Sequence, residues 1–324
     1  MLSDYSITSI YRDSNDTMWV GTTNGLNRYD EEKNKFIKYY SDGTNRSITN
    51  NYITDIDEDE NGYLWISTID RLSIIDLDNY NIYNNENRYN NHVYIYQMDK
   101  DNEGNIWTAS KNGIIKISSR NYELGDYNID VGENLNKDIT KVLCDRKGSV
   151  WFASSSGLIK YIPSNNTTKL YQSEISTSNH LLSNSIRCLY EDRNGTLWIG
   201  TNNGISILNV RQQFSNKINN ILRKNEIHVS SITSFLQDSE NDLWIGTEQN
   251  GVIYFNIDEN KMIRFSYNEN DENSLSSNSI KYITQGKPGV IIISTDKGMN
   301  KIDKETGKII KYGVEKETLN PFNQ

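Results

Sequence analysis

The sequence predicts an all-β protein, a seven-bladed β-propeller with four antiparallel strands in each blade. Six tryptophans recur at spacings of 46, 42, 44, 47 and 46 residues, and a further step of 48 residues reaches Ile292. The 3.6-residue periodicity of amphipathic helices is nearly absent, and four short strands in about 45 residues are typical of a propeller blade. We therefore expect one propeller domain over residues 1–324, with blades centred on Trp19, Trp65, Trp107, Trp151, Trp198, Trp244 and the Trp-less position Ile292.

The first strand of each repeat, called strand a, is marked by two apolar residues three positions apart, such as Ile186 and Leu189. An Asp lies six residues before each Trp, as Asp192 does before Trp198, whereas the seventh copy has Gly286 at this position. The residues that follow the Asp are rich in Asn and Gly, which tight turns favour. We expect the Asp to accept hydrogen bonds from backbone N–H groups of this a–b turn.

Strand b carries the Trp and ends at a small residue followed by Thr or Ser, as at Gly200 and Thr201. A large ring at a fixed position in every copy fills the wedge between neighbouring blades, and the small residue lets their backbones approach. Because these roles are structural, we interpret the repeated residues as scaffold and look for the functional site elsewhere.

Strand c follows a glycine and an apolar residue, as at Gly204 and Ile205, and strand d contains segments such as residues 36–39. The second copy departs from this pattern, because Arg71 replaces the glycine. Four antiparallel strands alternate in direction, so the d–a and b–c loops should share one face of the disc. The a–b turns should share the other face.

Charge and cysteine content exclude several classes of protein. Acidic residues outnumber basic ones by 43 to 34, which gives a net charge of −9 and no basic surface for a phosphate backbone, so we expect no nucleic-acid partner. No apolar run approaches the ~18 residues of a membrane span. Cys144 and Cys188 lie on neighbouring blades at different offsets from the repeated Asp, and we predict no disulfide between them.

Residues 192–205, with the sequence DRNGTLWIGTNNGI, resemble the two-component regulator propeller repeat. Residues 182–186 and 275–280 resemble the usual lead-in of that repeat to strand a. The resemblance covers nearly the whole chain, and the residue after each Trp is never Asp, which distinguishes it from WD-type repeats. Residues 319–324 look like the lead-in to an eighth repeat, so we expect a propeller excised from a longer receptor.

The resemblance implies a non-catalytic, extracytoplasmic ligand-sensing domain of a bacterial membrane receptor. Receptors of this family are often hybrid histidine kinases or diguanylate cyclases, and the best-known members respond to oligosaccharides. The implied partners are therefore a small-molecule or oligosaccharide ligand and the output domains of the same receptor. The sequence leaves the ligand, the output domain, the closure of the ring and the oligomeric state open, a homodimer included.

Motifs for cofactors and metals are incomplete. The sequence has no glycine-rich phosphate-binding motif, so we expect no cofactor. Asp57, Asp59, Asn61 and Gly62 match the first half of a calcium-binding loop, but Thr68 stands where that loop needs a bidentate Glu. We therefore predict an ordinary a–b hairpin turn here and no metal site.

The three histidines each lie a few residues before a strand a, and so on one face of the disc. A catalytic histidine needs an acid or base beside it, and a lone histidine in a loop is more often solvated. The histidines are His92, His180 and His228.

The mouth of the central channel is the default ligand site of a propeller. Residues on the d–a and b–c face that depart from the repeat are the most informative, because the scaffold alone does not require them. Aromatic rings beside hydrogen-bonding groups suit sugars or peptides. The candidate ligand-binding residues are Tyr52, Asp70, Arg71, His92, Tyr94, Lys111, Arg187, His228, Glu248 and Gln249. Two alternatives remain, a protein-interaction scaffold and a propeller lyase or hydrolase.

Overall fold

The computed structural model of the chain confirms a seven-bladed β-propeller. The described residues form seven four-stranded antiparallel sheets, each made from one continuous stretch of chain. One 3₁₀ turn, Pro163–Asn165, lies between two strands, and no helix in the described ranges has the length and apolarity to cross a membrane. The structure describes residues 2–44, 46–84, 94–111, 113–118, 124–126, 139–173, 181–209, 214–215, 222, 231–256 and 261–312.

The strands follow one another in the order a, b, c, d within each blade. The first three blades contain β1 (Ile7–Arg12), β2 (Met18–Thr22), β3 (Gly25–Asp30), β4 (Lys35–Tyr39), β5 (Ile53–Glu58), β6 (Tyr63–Thr68), β7 (Leu72–Asp76), β8 (Ile82–Tyr83), β9 (Ile95–Lys100), β10 (Ile106–Ser110), β11 (Gly113–Ile117) and β12 (Leu124–Asp126). The last four contain β13 (Lys141–Cys144), β14 (Val150–Ser154), β15 (Gly157–Ile162), β16 (Thr167–Tyr171), β17 (Ile186–Glu191), β18 (Leu197–Thr201), β19 (Gly204–Leu208), β20 (Phe214–Ser215), β21 (Ile232–Gln237), β22 (Leu243–Thr247), β23 (Val252–Asn256), β24 (Lys261–Phe265), β25 (Ile280–Gln285), β26 (Val290–Thr295), β27 (Gly298–Asp303) and β28 (Ile309–Tyr312).

The a strands surround the central axis, and the ring is closed. Each a strand lies beside the a strand of the next blade, and β25 of the seventh blade lies beside β1 of the first. The first and seventh sheets share no strand. The ring therefore closes by side-chain packing and side-chain hydrogen bonds between two complete sheets.

Each Trp ring fills the wedge between its own blade and the next. Trp19 packs with Ile53 and Ile66 of the second blade, for example, and the other five rings form corresponding clusters. All six tryptophans are buried. The apolar residue of the lead-in to strand a covers the ring from the next blade, as Ile48 does for Trp19.

The repeated Asp has two roles in the a–b turn. Asp13 Oδ1 accepts the backbone N–H groups of Asn15 and Thr17 at 3.0 and 2.8 Å, and its Oδ2 accepts the indole N–H of Trp19 at 2.8 Å. Asp59, in the calcium-like segment, makes the same turn bonds and accepts the Trp65 indole N–H at 3.0 Å. These bonds confirm an ordinary hairpin turn at that segment.

The small residue two positions after the Trp is required by close approach of the next blade. A Cβ atom built on Gly21 would lie 2.7 Å from Cγ2 of Ile53, and one on Gly200 would lie 2.7 Å from Cγ2 of Ile232. In each case the clashing side chain belongs to strand a of the following blade. The interpretation of these positions as scaffold is confirmed.

Hydrogen bonds identify the loops that share each face of the disc. On the mouth face, the b–c loops bond to the lead-in of their own blade, as in the 3.0 Å bond from the Glu248 N–H to the Ser231 carbonyl, and to the lead-in of the next blade, as in the 3.0 Å bond from the Gly251 N–H to the Asn278 carbonyl. On the opposite face, a–b turns are joined between blades: the Arg193 N–H donates to Gln237 of the next blade at 3.0 Å. The d–a and b–c loops therefore share one face, as predicted.

Candidate functional site

A β-bulge lies near the start of strand a in most blades, beside the d–a and b–c loops of the mouth face. The register between strands a and b shifts by one residue at this point in six blades, and bulges redirect the side chain they carry. The bulged residue is Thr in three of these blades. In the other three it is Tyr96, Arg187 and Lys281.

Sequence reasoning singled out Arg187 but missed Tyr96 and Lys281. All three lie eleven residues before the Trp position of their own repeats, at Trp107, Trp198 and Ile292. Aligning the repeats at this register would have found them, because most other copies have Thr there.

Three tyrosines form an aromatic group on the second and third blades. The rings of Tyr94 and Tyr96 have centroids 4.8 Å apart. Burial raises the pKa of Tyr94, and Tyr52 and Tyr96 raise that pKa further, which places Tyr52 beside this pair. The Lys111 N–H donates to the Tyr94 carbonyl at 3.0 Å and so holds the b–c loop against the same group.

An ion pair joins the fifth and sixth blades. Arg187 Nη2 lies 3.2 Å from both carboxylate oxygens of Glu248. Hydrogen bonding from the Ser231 hydroxyl lowers the pKa of Glu248, and the Arg187 charge lowers that pKa further. Both side chains keep more than 40% of their surface accessible, at 42% and 43%, so the charged groups remain available to a ligand.

Asp70 and Arg71 have a local role in the b–c loop of the second blade. The Asp70 and Arg71 N–H groups donate to the Thr68 hydroxyl at 3.2 and 3.0 Å, which shapes the second b–c loop without a glycine. Gln249 is exposed in the b–c loop of the sixth blade. His92, His180 and His228 lie outside the described residues.

The central channel below the mouth holds carboxylates that the sequence did not single out as a group. Burial raises the pKa of Asp55 to about 6, even though Asp55 accepts the Met98 N–H at 2.8 Å. Burial also raises the pKa of Asp57 and of Asp99, and the three carboxylates reinforce one another across two blades. Strand a is innermost, so these side chains approach one another around the axis.

The two cysteines do not form a disulfide-bonded pair in the structure. Cys144 and Cys188 are both free thiols, so the predicted absence of a disulfide is confirmed. Burial raises the pKa of Cys188 to about 12, so its thiol stays protonated at neutral pH. Within the described ranges, no group of three His, Cys, Asp or Glu side chains is placed to hold a metal ion.

Family comparison finds two component regulator propeller repeats in this chain. The family model matches residues 1–24, 47–70, 180–203 and 227–249. Each matched segment covers the lead-in, strand a, the turn and strand b of one blade. No curated protein matches the chain in sequence.

Among solved structures, the chain is similar to the extracellular domain of the hybrid two component system BT3049 from B. thetaiotaomicron. The two share 25% identity over 94% of this chain, with a TM-score of 0.76. The extracellular domain of BT4673 from the same organism shares 18% identity over 95% of this chain, with a TM-score of 0.53. The chain spans 40% and 41% of the lengths of those two domains.

Lyases share the fold at lower identity. A streptogramin B lyase is 12% identical over 96% of this chain and 95% of its own, with a TM-score of 0.66. An inactive variant of virginiamycin B lyase from Staphylococcus aureus is also 12% identical, with a TM-score of 0.64. At this identity the likeness concerns the fold alone.

Proposed function

This chain carries two component regulator propeller repeats, and from that premise we propose that it is a non-catalytic ligand-sensing domain of a bacterial two-component-type receptor. The similarity to the extracellular domain of a hybrid two component system supports a sensor role. The proposal places the domain on the extracytoplasmic side of a membrane, with output domains elsewhere in the same receptor. A homodimer of such receptors is compatible with it.

The proposed ligand is a small molecule or oligosaccharide, bound at the mouth of the channel. One observation carries this proposal: three of the six bulges carry a Thr, whereas the third and fifth blades carry Tyr96 and Arg187 there. The Tyr96 ring lies against the Tyr94 ring in a tilted arrangement, and Arg187 is paired with Glu248. Aromatic faces with a few convergent polar groups are the usual lining of small-ligand sites.

Ring geometry places the two groups on different sides of the mouth. The tyrosines belong to the second and third blades, and the ion pair joins the fifth and sixth. A ligand that touches both groups would therefore span the channel. Signalling would follow if the receptor's two states bound this ligand with different affinity, since only differential affinity shifts an equilibrium.

A thermal-shift screen with neutral and acidic oligosaccharides of defined sequence tests this function. Binding to the folded state alone raises the melting temperature, so one member of the panel should stabilise the wild type. Arg187→Ala and Tyr96→Ala should each abolish that stabilisation. Lys147→Ala, an exposed a–b turn residue on the opposite face, is the matched control and should retain it.

Mass spectrometry of the recovered ligand separates the alternatives. A sensor returns the oligosaccharide unchanged, whereas conversion to a new mass would favour a lyase or hydrolase and overturn the non-catalytic role. If no oligosaccharide stabilises the wild type, or if the Lys147→Ala and Arg187→Ala variants respond alike, the proposed mouth site is wrong. A scaffold role would then gain support.

A further inference from the structure

The interface between the seventh and first blades, here called the closing seam, lacks the two residues that define every other seam. At six seams the Trp indole N–H donates to the Asp carboxylate at 2.8–3.0 Å. At the closing seam these positions are Ile292 and Gly286, so neither the ring nor its acceptor is present. A shorter side chain therefore stands where the fold elsewhere holds an indole.

A cavity of about 620 Å³ lies at this place between the sheets β1–β4 and β25–β28. Leu2, Ile10 and Met18 line it together with Ile292. At the seam between the sixth and seventh blades, the equivalent residues of the seventh blade pack around the Trp244 ring. They are Leu275, Ile283 and Ile291. The cavity thus occupies the position of the missing ring, and its volume falls in the range of about 300–1,000 Å³ typical of small-ligand pockets.

A lysine at the closing seam faces this position, and among the described residues no aromatic ring lies in cation–π contact with it. Lys116 is paired across the strands with Trp107, and its ammonium lies 4.9 Å from that ring's centroid. Lys160 pairs with Trp151 in the same way, at 5.0 Å. Lys301 is at the same register, paired with Ile292, and lines the cavity. An aromatic ring in the cavity would give Lys301 the cation–π contact that its counterparts make.

The rim of the cavity is positively charged in a chain whose net charge is −9. Four cationic and two anionic side chains line it, which leaves a local excess of two positive charges. The anionic ones are already paired, Asp16 with Arg12 at 3.1 Å and Glu31 with Lys287 at 2.9 Å. Among the described residues, Lys35 of the first blade and Lys301 of the seventh form no ion pair. Within this part of the structure, each wall therefore contributes one cation that forms no ion pair.

We propose that the closing seam is a binding site for a small planar aromatic carboxylate. The ring occupies the position of the missing indole between Ile10, Met18 and Ile292, under the Lys301 ammonium. The carboxylate is held by Lys35 and Lys301 at the open rim. This site lies on the a–b turn face, opposite the proposed mouth site, and it does not depend on that proposal.

Methionine methyl resonances report on this site directly. The chain has five methionines, and Met18 and Met299 line the cavity whereas Met98 and Met262 do not. With ¹³C-methyl methionine labelling, indole-3-acetate should shift the Met18 and Met299 resonances and leave those of Met98 and Met262 in place. Shifts of Met98 or Met262 alone, or of no methionine at millimolar indole-3-acetate, would overturn the proposal.

Filling the cavity should abolish binding. In the double variant Ile292→Trp with Gly286→Asp, the consensus pair is restored, so indole-3-acetate should no longer raise the melting temperature. If that variant does not fold, Ile292→Phe places a smaller ring at the same position and should weaken binding at least tenfold. Lys147→Ala, in the exposed a–b turn of the fourth blade, should bind indole-3-acetate as the wild type does.

The charge requirement is tested separately with Lys301→Gln. This variant should bind indole-3-acetate about tenfold more weakly. Its affinity for neutral indole should fall less, because indole would lose only the cation–π contact, whereas indole-3-acetate would also lose the contact between Lys301 and its carboxylate. Equal losses for the two probes would contradict the carboxylate assignment, and unchanged binding by the filled variant would refute the site.

Discussion

Two seams of the same ring, one on each side of the seventh blade, show how differently equivalent positions can be used. At the Trp244 seam, between β21–β24 and β25–β28, the indole is buried and donates to Asp238 at 2.9 Å. At the closing seam, Ile292 stands in its place beside a cavity of about 620 Å³. The same sheet therefore contributes a dense wall to one seam and an open wall to the other.

The closing seam is joined by other contacts. At several seams a Glu or Gln at the end of strand a accepts an N–H of the preceding blade's turn, as Gln285 accepts from Ser239 at 2.8 Å. Arg12 occupies this register at the closing seam and donates instead to the Gly286 carbonyl at 2.7 Å. The contrast teaches that side-chain packing and turn contacts are enough to close a ring, and that the indole supplies packing density at a seam and not closure itself.

The largest expected effect comes from emptying the dense seam. Trp244→Ala should lower the free energy of unfolding by about 3–5 kcal/mol, because a buried ring leaves a cavity that its neighbours fill only in part. Ile292→Ala should cost less, about 2 kcal/mol, since a void already adjoins that side chain. Urea denaturation of both variants measures the difference. Equal losses would mean that the two seams are packed alike.

Crowding the same two seams should give the next largest effect. A Cβ on Gly246 would lie 2.8 Å from Cγ2 of Ile280 and would also meet the Ser234 hydroxyl, whereas one on Gly286 would meet no atom closer than 3.3 Å. Gly246→Ala should therefore cost about 1–3 kcal/mol through overpacking. Gly286→Ala, its matched control, should stay within about 0.5 kcal/mol of the wild type in the same denaturation experiment.

Acidification should weaken the Trp244 seam, which holds Asp238, more than the closing seam. Burial opposes ionisation of Asp238, but hydrogen bonds from Lys304 and Trp244 outweigh it and lower the pKa of this carboxyl group. A lowered pKa in the folded state gives stability that is present above the unfolded value of about 3.9 and is lost as pH falls through the folded pKa.

Asp238→Asn removes this contribution. Below about pH 4 the urea midpoint of the variant should therefore fall less steeply than that of the wild type. At pH 7 the variant should be destabilised by about 1–3 kcal/mol, because a buried acceptor is weakened. The closing seam has no carboxylate at this register, and Gly286→Ala keeps Asp238, so its urea midpoint should fall with pH as steeply as that of the wild type. A flattened response like that of Asp238→Asn would show that the effect arises elsewhere.

The smallest effect should come from the exposed ion pair that bridges the closing seam. Lys287 and Glu31 are 71% and 77% accessible, and solvent screens such pairs. Lys287→Ala should leave the urea midpoint unchanged within error at moderate salt. A clear loss that disappears at high salt would show that this pair contributes to closure.

The repeat pattern was enough to predict the blades, the faces and the scaffold role of the Trp, because each depends on residues within one repeat or its neighbour. The position of the repeated Asp beside a turn predicts that it binds turn N–H groups, but not that Asp13 also accepts the Trp19 indole N–H. That second role depends on whether the two side chains reach each other, and the spacing of residues along the chain does not determine this.

Other features needed the geometry of the ring. Closure depends on β1 and β25 meeting although they are far apart in sequence, so no local pattern predicts how it occurs. Tyr96 and Lys281 reach the mouth because a bulge redirects them, and the channel carboxylates gather only when the a strands surround an axis. The sequence analysis marked Ile292 as the Trp-less position, but only the packing reveals the cavity beside it.

Among the described strands, none crosses from the last sheet into the first, so the boundary of the genetic repeat coincides with the boundary of the folded unit. Duplication or loss of one repeat in a gene of this kind would add or remove a whole sheet and leave main-chain pairing in the others untouched. A ring is more constrained when its last sheet includes a strand from the other end of the chain, because every change in the number of repeats must preserve that shared sheet. This arrangement makes the number of blades easy to alter over evolution.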